Sequence, residues 1–201
     1  MASEKQVKNR PAGSNSAEGR VNNQSTVKKA STAAPARKGS VYKQQLMEKQ
    51  KVKRFYGVSE EQFRRFFSVA SKSKSGATGT NLLCLLERRA DNVIYRLKLA
   101  MTRRQARQMV VHGHILLNGK RIKTPSLLVK EGDHISLADK SLAKDGFMHS
   151  TTKQRINVGV KVPDWLELRK DQYLGIVSRL PQRADVHVQA EEHLIVELYS
   201  K

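Results

Sequence analysis

The stretch "TRRQARQMVVHGHILLNGKRI", Thr102 to Ile122, constrains the fold more than any other part of the chain. Ala106, Met109 and Val110 stand at helical spacing behind Thr102, whose hydroxyl can accept from the first free backbone N–H groups of a helix. Gly113 stops that helix, and the chain passes without a linker into an apolar strand. Asn118-Gly119 follows, the dipeptide that best tolerates the two positive φ values of a type I′ turn, so the strand folds back as a hairpin. A second turn signal, Gly132-Asp133, precedes another strand, "HISL". A helix butted against a hairpin and a further strand predicts an α+β unit, with helices on a small curved antiparallel sheet.

Upstream the periodicity is helical. "YKQQLMEKQKVKRFYG" places Leu46, Val52, Phe55 and Tyr56 on a helix that Gly57 would end. Ser59, with Gln62 three residues on, starts the next helix, which carries Phe63, Phe66, Phe67 and Ala70 on one face. Ser71 to Asn81 is a loop by composition, and Thr80 or Asn81 can cap the segment "LLCLLERRADNVIYRLKLA". Its apolar stripe slips phase near Ala90 and Asp91, which predicts a break there, with Asp91 able to cap the second half. Near the end of the chain, "LIVELYS" reads as an alternating or buried strand. Glu191, Glu192 and His193 then form the turn leading into it, rather than a catalytic group.

Charge narrows the partner. Among 201 residues, Lys+Arg is 38 and Asp+Glu is 18, a formal net charge of +20. Self-repulsion of this size argues for a polyanionic partner. Nucleic acid leads and an anionic membrane surface comes second. No apolar run approaches the ~20 residues that span a bilayer, and no signal-peptide core is present. Cys84 is the only cysteine, so an intrachain disulfide and every multi-cysteine zinc site are ruled out, and its setting "NLLCLLE" makes it a small hydrophobe. His112 and His114 form an H-x-H pair with no third ligand close in sequence, so no metal is expected. The sequence contains no phosphate-binding Walker loop, nucleophile elbow or dinucleotide-binding glycine fingerprint, and no enzyme activity or cofactor is expected.

Candidate contacts to the anion follow from position. Arg103 and Arg107 are four apart on one helix face, Arg104 lies beside them, and Lys120, Arg121 and Lys123 follow the Asn-Gly turn. Lys49, Lys51, Lys53 and Arg54 cluster on the first helix, and Arg64 and Arg65 fall off the aromatic stripe of the second. Such faces can be plain solvation. Here the charge is one-sided in sign, and the guanidinium fork suits phosphate. Tyr42, Phe55 and Tyr56, beside lysines, either stack on bases or anchor the core. Residues 1–39, rich in Ala, Ser, Asn, Lys and Arg, have charge without apolar periodicity and are expected to be disordered in isolation. They read as a solubilising tail, as an organelle transit peptide, or as a basic arm that orders on RNA; the basic character of the rest favours the arm.

The stretch "LERRADNVIYRLKLAMTRRQARQMVVHGHILLNGKRIKTPSLLVKEGDHISL" resembles the RNA-binding module named after the fourth protein of the small ribosomal subunit, here S-four. The flanks "YKQQLMEKQKVKRFYGVSEEQFRRFF" and "PDWLEL…GIVSRLPQRADV…EEHLIVELYSK" resemble the bacterial or organellar S-four family itself, over about Gly39 to Lys201. The resemblance implies a helical domain built from both flanks, 40–88 and 153–201, with the module inserted at 89–152 and a basic tail at 1–39. It implies a structural role: binding small-subunit rRNA, nucleating assembly, touching the neighbouring S-five protein at an interface linked to decoding fidelity, and lining the mRNA entry path. The implied location is the cytoplasm of a bacterium, or an organelle matrix or stroma. The alternatives are a free ribosome-associated RNA-binding factor of the heat-shock type, or an appendage of an rRNA-modifying enzyme; a pseudouridine synthase needs a catalytic domain after the module, and too few residues follow.

Departures from the family matter too. Its cysteine cluster and its Pro-Gly-Gln-His-Gly segment are absent, with "PARKGS" standing where the latter would end. Ala90 occupies a position usually held by leucine, implying looser packing. Lys98 occupies one usually held by glycine, and so becomes a further candidate for a phosphate contact.

Overall fold

A computed structural model of the chain describes residues 40–73, 76–139 and 161–200. The reading of residues 1–39 lies outside them. Helices α1 (Val41–Tyr56) and α2 (Glu60–Lys72) form as the periodicity predicts. Gly57, at φ +62°, takes the left-handed conformation that terminates α1, and its N–H and that of Val58 close onto the last-turn carbonyls of Arg54 and Lys53. Ser59 Oγ accepts from the Gln62 N–H and starts α2. α3 (Thr78–Glu87) and α4 (Ala90–Arg96) are separated at the predicted break. The loop between α2 and α3 is shorter than its composition suggests, and neither Thr80 nor Asn81 is the cap. α3 starts earlier, and the Thr80 hydroxyl instead donates to Glu192 at 2.9 Å.

α5 (Arg103–Val111) begins at Thr102, whose Oγ1 accepts from the Gln105 N–H. It leads through Gly113 into β1 (Ile115–Leu117) and β2 (Lys120–Arg121). The turn residues Asn118 and Gly119 have φ of +50° and +78°, as a type I′ hairpin requires. β3 (His134–Leu137) follows the Gly132 turn. β4 (Leu166–Arg169) and β5 (Leu174–Val177) complete an antiparallel sheet in the order β2-β1-β3-β5-β4. α6 (Glu192–Ser200) ends the described chain.

Two corrections concern the C-terminal flank. The segment "LIVELYS" is helical, not a strand: on a helix Ile195 and Tyr199 are one turn apart and face the same way, and both pack into the helical core. The return to the helical domain also comes later than position 153. Trp165, Leu166 and Val177 pack with Ile94, Leu97 and Met109, so β4 and β5 belong to the module, and the helical core regains the chain only near Val186. Short strands with little alternation carry no mark of the core they join; pairing of β5 with β3 decides it.

There are thus two hydrophobic cores. One gathers Val52, Phe63, Leu82, Leu83, Leu86 and Ile195 from α1, α2, α3 and α6. The other seats α4 and α5 on the sheet. Gly175 marks how closely they seat: a methyl group there would overlap the side chain of Leu97. Gly175→Ala should therefore lower stability by about 1–3 kcal/mol, as overpacking does. A urea titration would show it as a fall in midpoint at constant slope; an unchanged midpoint would mean that Leu97 has room to move.

Lys98 has φ +62°, a conformation glycine adopts without strain, which accounts for the glycine usual at this position. The residue is only 8% exposed, so its side chain is not held out to solvent as a phosphate contact would need.

Candidate nucleic-acid interface

The sequence candidates divide into cations committed to the protein and cations left to solvent. Lys49 and Lys53 are one helical turn apart on α1, and both reach Glu60 at the start of α2, at 2.7 and 2.8 Å. Tyr199 of α6 adds its hydroxyl to the same carboxylate at 3.0 Å. These bonds from the two lysines, Lys49 foremost, hold the Glu60 carboxyl down to about 2 from an ordinary 4.5. Because the folded value lies below the unfolded one, this contribution is complete above about pH 4.5 and is lost as pH falls towards 2. Glu60→Gln should flatten the loss of stability in that window, by an amount reduced by solvent since the side chain is 39% exposed. Acid melts of the two proteins that stay parallel throughout the window would contradict this.

Arg103 and Arg107 do not share the solvent face that their spacing predicts. The Arg107 guanidinium donates to the Gly57 carbonyl at 2.9 Å, tying α5 to the end of α1. Arg103 turns inward: its guanidinium carbon lies 4.1 Å from the Phe55 ring centre and 4.5 Å from that of Tyr95. Its Nε donates to Asn92 Oδ1 at 2.9 Å. Burial, with Arg96 nearby, pulls its pKa below the ordinary value. Phe55 and Tyr56 are thus anchors, Tyr56 being buried with its hydroxyl on Glu87, while Tyr42 is exposed.

Arg54, Arg64, Arg104, Lys120, Arg121 and Lys123 are exposed, and their side chains make no hydrogen bond or ion pair with any described residue. Arg121 lies across the joint between α5 and β1: a Cβ on Gly113 would stand 2.7 Å from its Cδ, and Gly113 (φ +71°) holds the left-handed conformation that glycine adopts without strain. The hairpin's cations therefore adjoin the end of α5, and Arg104 projects from its first turn. Lys51 and Arg65 belong with this exposed set. The Arg65–Glu61 pair is open to solvent and the Lys51–Glu48 pair partly so, and surface pairs of this kind are worth about 0–1 kcal/mol.

Glu192, one of the three residues that look catalytic in sequence, is paired with Arg183 and Thr80 where α6 meets α3. The His112 and His114 rings are 6.1 Å apart, and among the described residues no group of three His, Cys, Asp or Glu side chains could hold a metal ion. Burial raises the Cys84 thiol above its ordinary pKa, as suits a packing residue. No helix among the described residues is long and apolar enough to cross a membrane.

A basic rim on a helix–hairpin unit, carried by a second, helical core, is the architecture of an S4-domain protein, and residues 88–135 match the S4 domain family while residues 4–87 match the family described as ribosomal protein S4/S9 N-terminal domain. A small ribosomal subunit protein uS4 of a Thermoanaerobacter species is 53% identical over 160 residues, covering 80% of this chain and 75% of that protein. Those of Halothermothrix orenii and Citrifermentans bemidjiense are 48% and 50% identical over 164 residues, each covering 82% of this chain and 77% of the relative. The chain belongs to the uS4 family of small ribosomal subunit proteins, in its bacterial-type form.

Proposed function

We propose that this chain is a structural component of the small ribosomal subunit and binds its rRNA directly. The observation that carries the proposal is the set of exposed, unneutralised cations on α5 and the hairpin, mounted on a framework in which Lys49, Lys53 and Arg107 are already engaged within the protein. A preformed surface of this kind loses little entropy on docking. The proposed rRNA contacts are Arg54, Arg64, Arg104, Lys120, Arg121 and Lys123, with Lys51 and Arg65 recruited by exchange. Arg103, Arg107, Lys49 and Lys53 support that surface from behind.

The finer reading places the chain early in subunit assembly, beside the S-five protein and near the mRNA entry path, in the cytoplasm of a bacterium. Family membership and the resemblance of both flanks support it. Neither a free RNA-binding factor nor an enzyme appendage is favoured, because the relatives are named as subunit proteins and the match extends well beyond the module.

Gradient sedimentation after washing in high salt tests the proposal. A tagged copy expressed in a bacterium should stay with the small subunit through the wash. Its release into the soluble fraction, with the subunit's other proteins retained, would mark it as a factor instead.

A further inference from the structure

The two cores meet at one buried polar cluster. Glu87, at the end of α3, accepts from the Tyr56 hydroxyl at 2.8 Å, from Arg96 Nη2 at 2.7 Å and from Asn92 Nδ2 at 2.6 Å. Asn92 in turn accepts from Arg103, whose guanidinium lies against both Phe55 of α1 and Tyr95 of α4. Phe55 packs on the helical core and Tyr95 on the core of the module. One side chain of α5 is therefore held by groups from both.

We propose that Arg103 is a positioning residue: through Asn92, Glu87 and its two aromatic neighbours it sets the angle between the helical core and the basic hairpin, and it does not itself touch RNA. The inference rests on the RNA-binding reading above. The guanidinium lies against two rings and its Nε is engaged by Asn92, so it is committed to the protein rather than held out to a phosphate. Lysine cannot replace it. An ammonium carries the same charge but has no plane to lie against two rings while a separate Nε–H meets Asn92.

The test compares Arg103→Lys, Arg103→Met and the control Gln108→Ala in the full chain. Affinity for a small-subunit rRNA transcript is measured across a salt series. Separately, spin labels at Ser68→Cys and Glu131→Cys, in a Cys84→Ser background, report the spacing of the two cores in the free protein. For a positioning residue, both Arg103 variants should bind about tenfold more weakly. Their salt slope should match the parent, and the label distances should broaden in both. Gln108→Ala, at an exposed position of α5 outside both cores, should change none of these. Restored affinity in Arg103→Lys, or a slope lower by about one in Arg103→Met, would show a direct phosphate contact and overturn the proposal. So would unbroadened distances. Should Arg103→Met not fold, Arg103→Lys decides alone. If the parent protein itself binds the transcript weakly and without steep salt dependence, the functional reading fails, while the distance measurement still tests the joint.

Discussion

Asp91→Ala should lower the melting temperature of the free protein by about 10 °C. The Arg89 side chain is wholly buried, and its Nε and Nη2 lie 3.1 and 2.7 Å from the two Asp91 oxygens. Removing the acid strands a cation that otherwise faces the Phe66 ring at 5.5 Å. Breaking a buried pair from one side costs about 3–5 kcal/mol, and each kcal/mol shifts a chain of this size by about 2–4 °C. Replacing both residues with apolar ones of similar volume, Arg89→Met with Asp91→Leu, should recover most of the loss, since the penalty comes from an unpaired charge rather than from the pair's own strength. Thermal melts followed by circular dichroism decide it. A single mutant that melts within about 2 °C of the parent would mean that water reaches Arg89.

The second large effect falls on binding. Removing Arg104, Lys120 and Lys123 together, each to alanine, should leave the fold intact, because all three are exposed and none belongs to either core. The logarithmic salt dependence of rRNA affinity should fall by roughly three units, one for each phosphate that is no longer neutralised. Affinity at moderate salt should fall at least about a hundredfold, taking charge-assisted hydrogen bonds after solvent screening. Removing Lys49 and Lys53 instead should move the slope far less and destabilise the fold, because Glu60 loses its partners. Equal slopes for parent and triple mutant would place the interface elsewhere.

Much of this architecture is legible in the residues because its signals are local. A capping serine or threonine, an Asn-Gly pair and an apolar stripe act within four residues of themselves, and Ser59, Thr102, Asn118 and Gly119 do what their chemistry dictates. The α3–α4 break is legible for the same reason. What the residues do not disclose depends on partners distant in sequence. Spacing puts Arg103 and Arg107 on a common face, but it cannot say that Phe55 and the Gly57 carbonyl, some fifty positions earlier, cover that face. Lys49 and Lys53 look like open charge until the Gly57 turn brings Glu60 against them. α6 is hard to read because alternating apolar residues fit a strand as well as a helix, and only packing against α1 and α2 separates the two. A basic residue near two aromatics from separate helices is the signal that points to the inward turn of Arg103.

The strand order of the sheet bears on how a growing polypeptide acquires its shape. β3 is bordered by β1 and by β5, yet β5 is synthesised about 40 residues after β3, a delay of some seconds at ordinary rates of chain elongation. Between the emergence of β3 and that of β5, α5 and the hairpin are already outside with their cations, while one side of β3 offers bare backbone N–H and C=O groups to any strand that passes. The helical core waits longer still, since α6 is made after β5. The chain thus acquires its charge before its closure, and the order of synthesis sets a window in which polyanions and neighbouring nascent chains compete for an unfinished sheet.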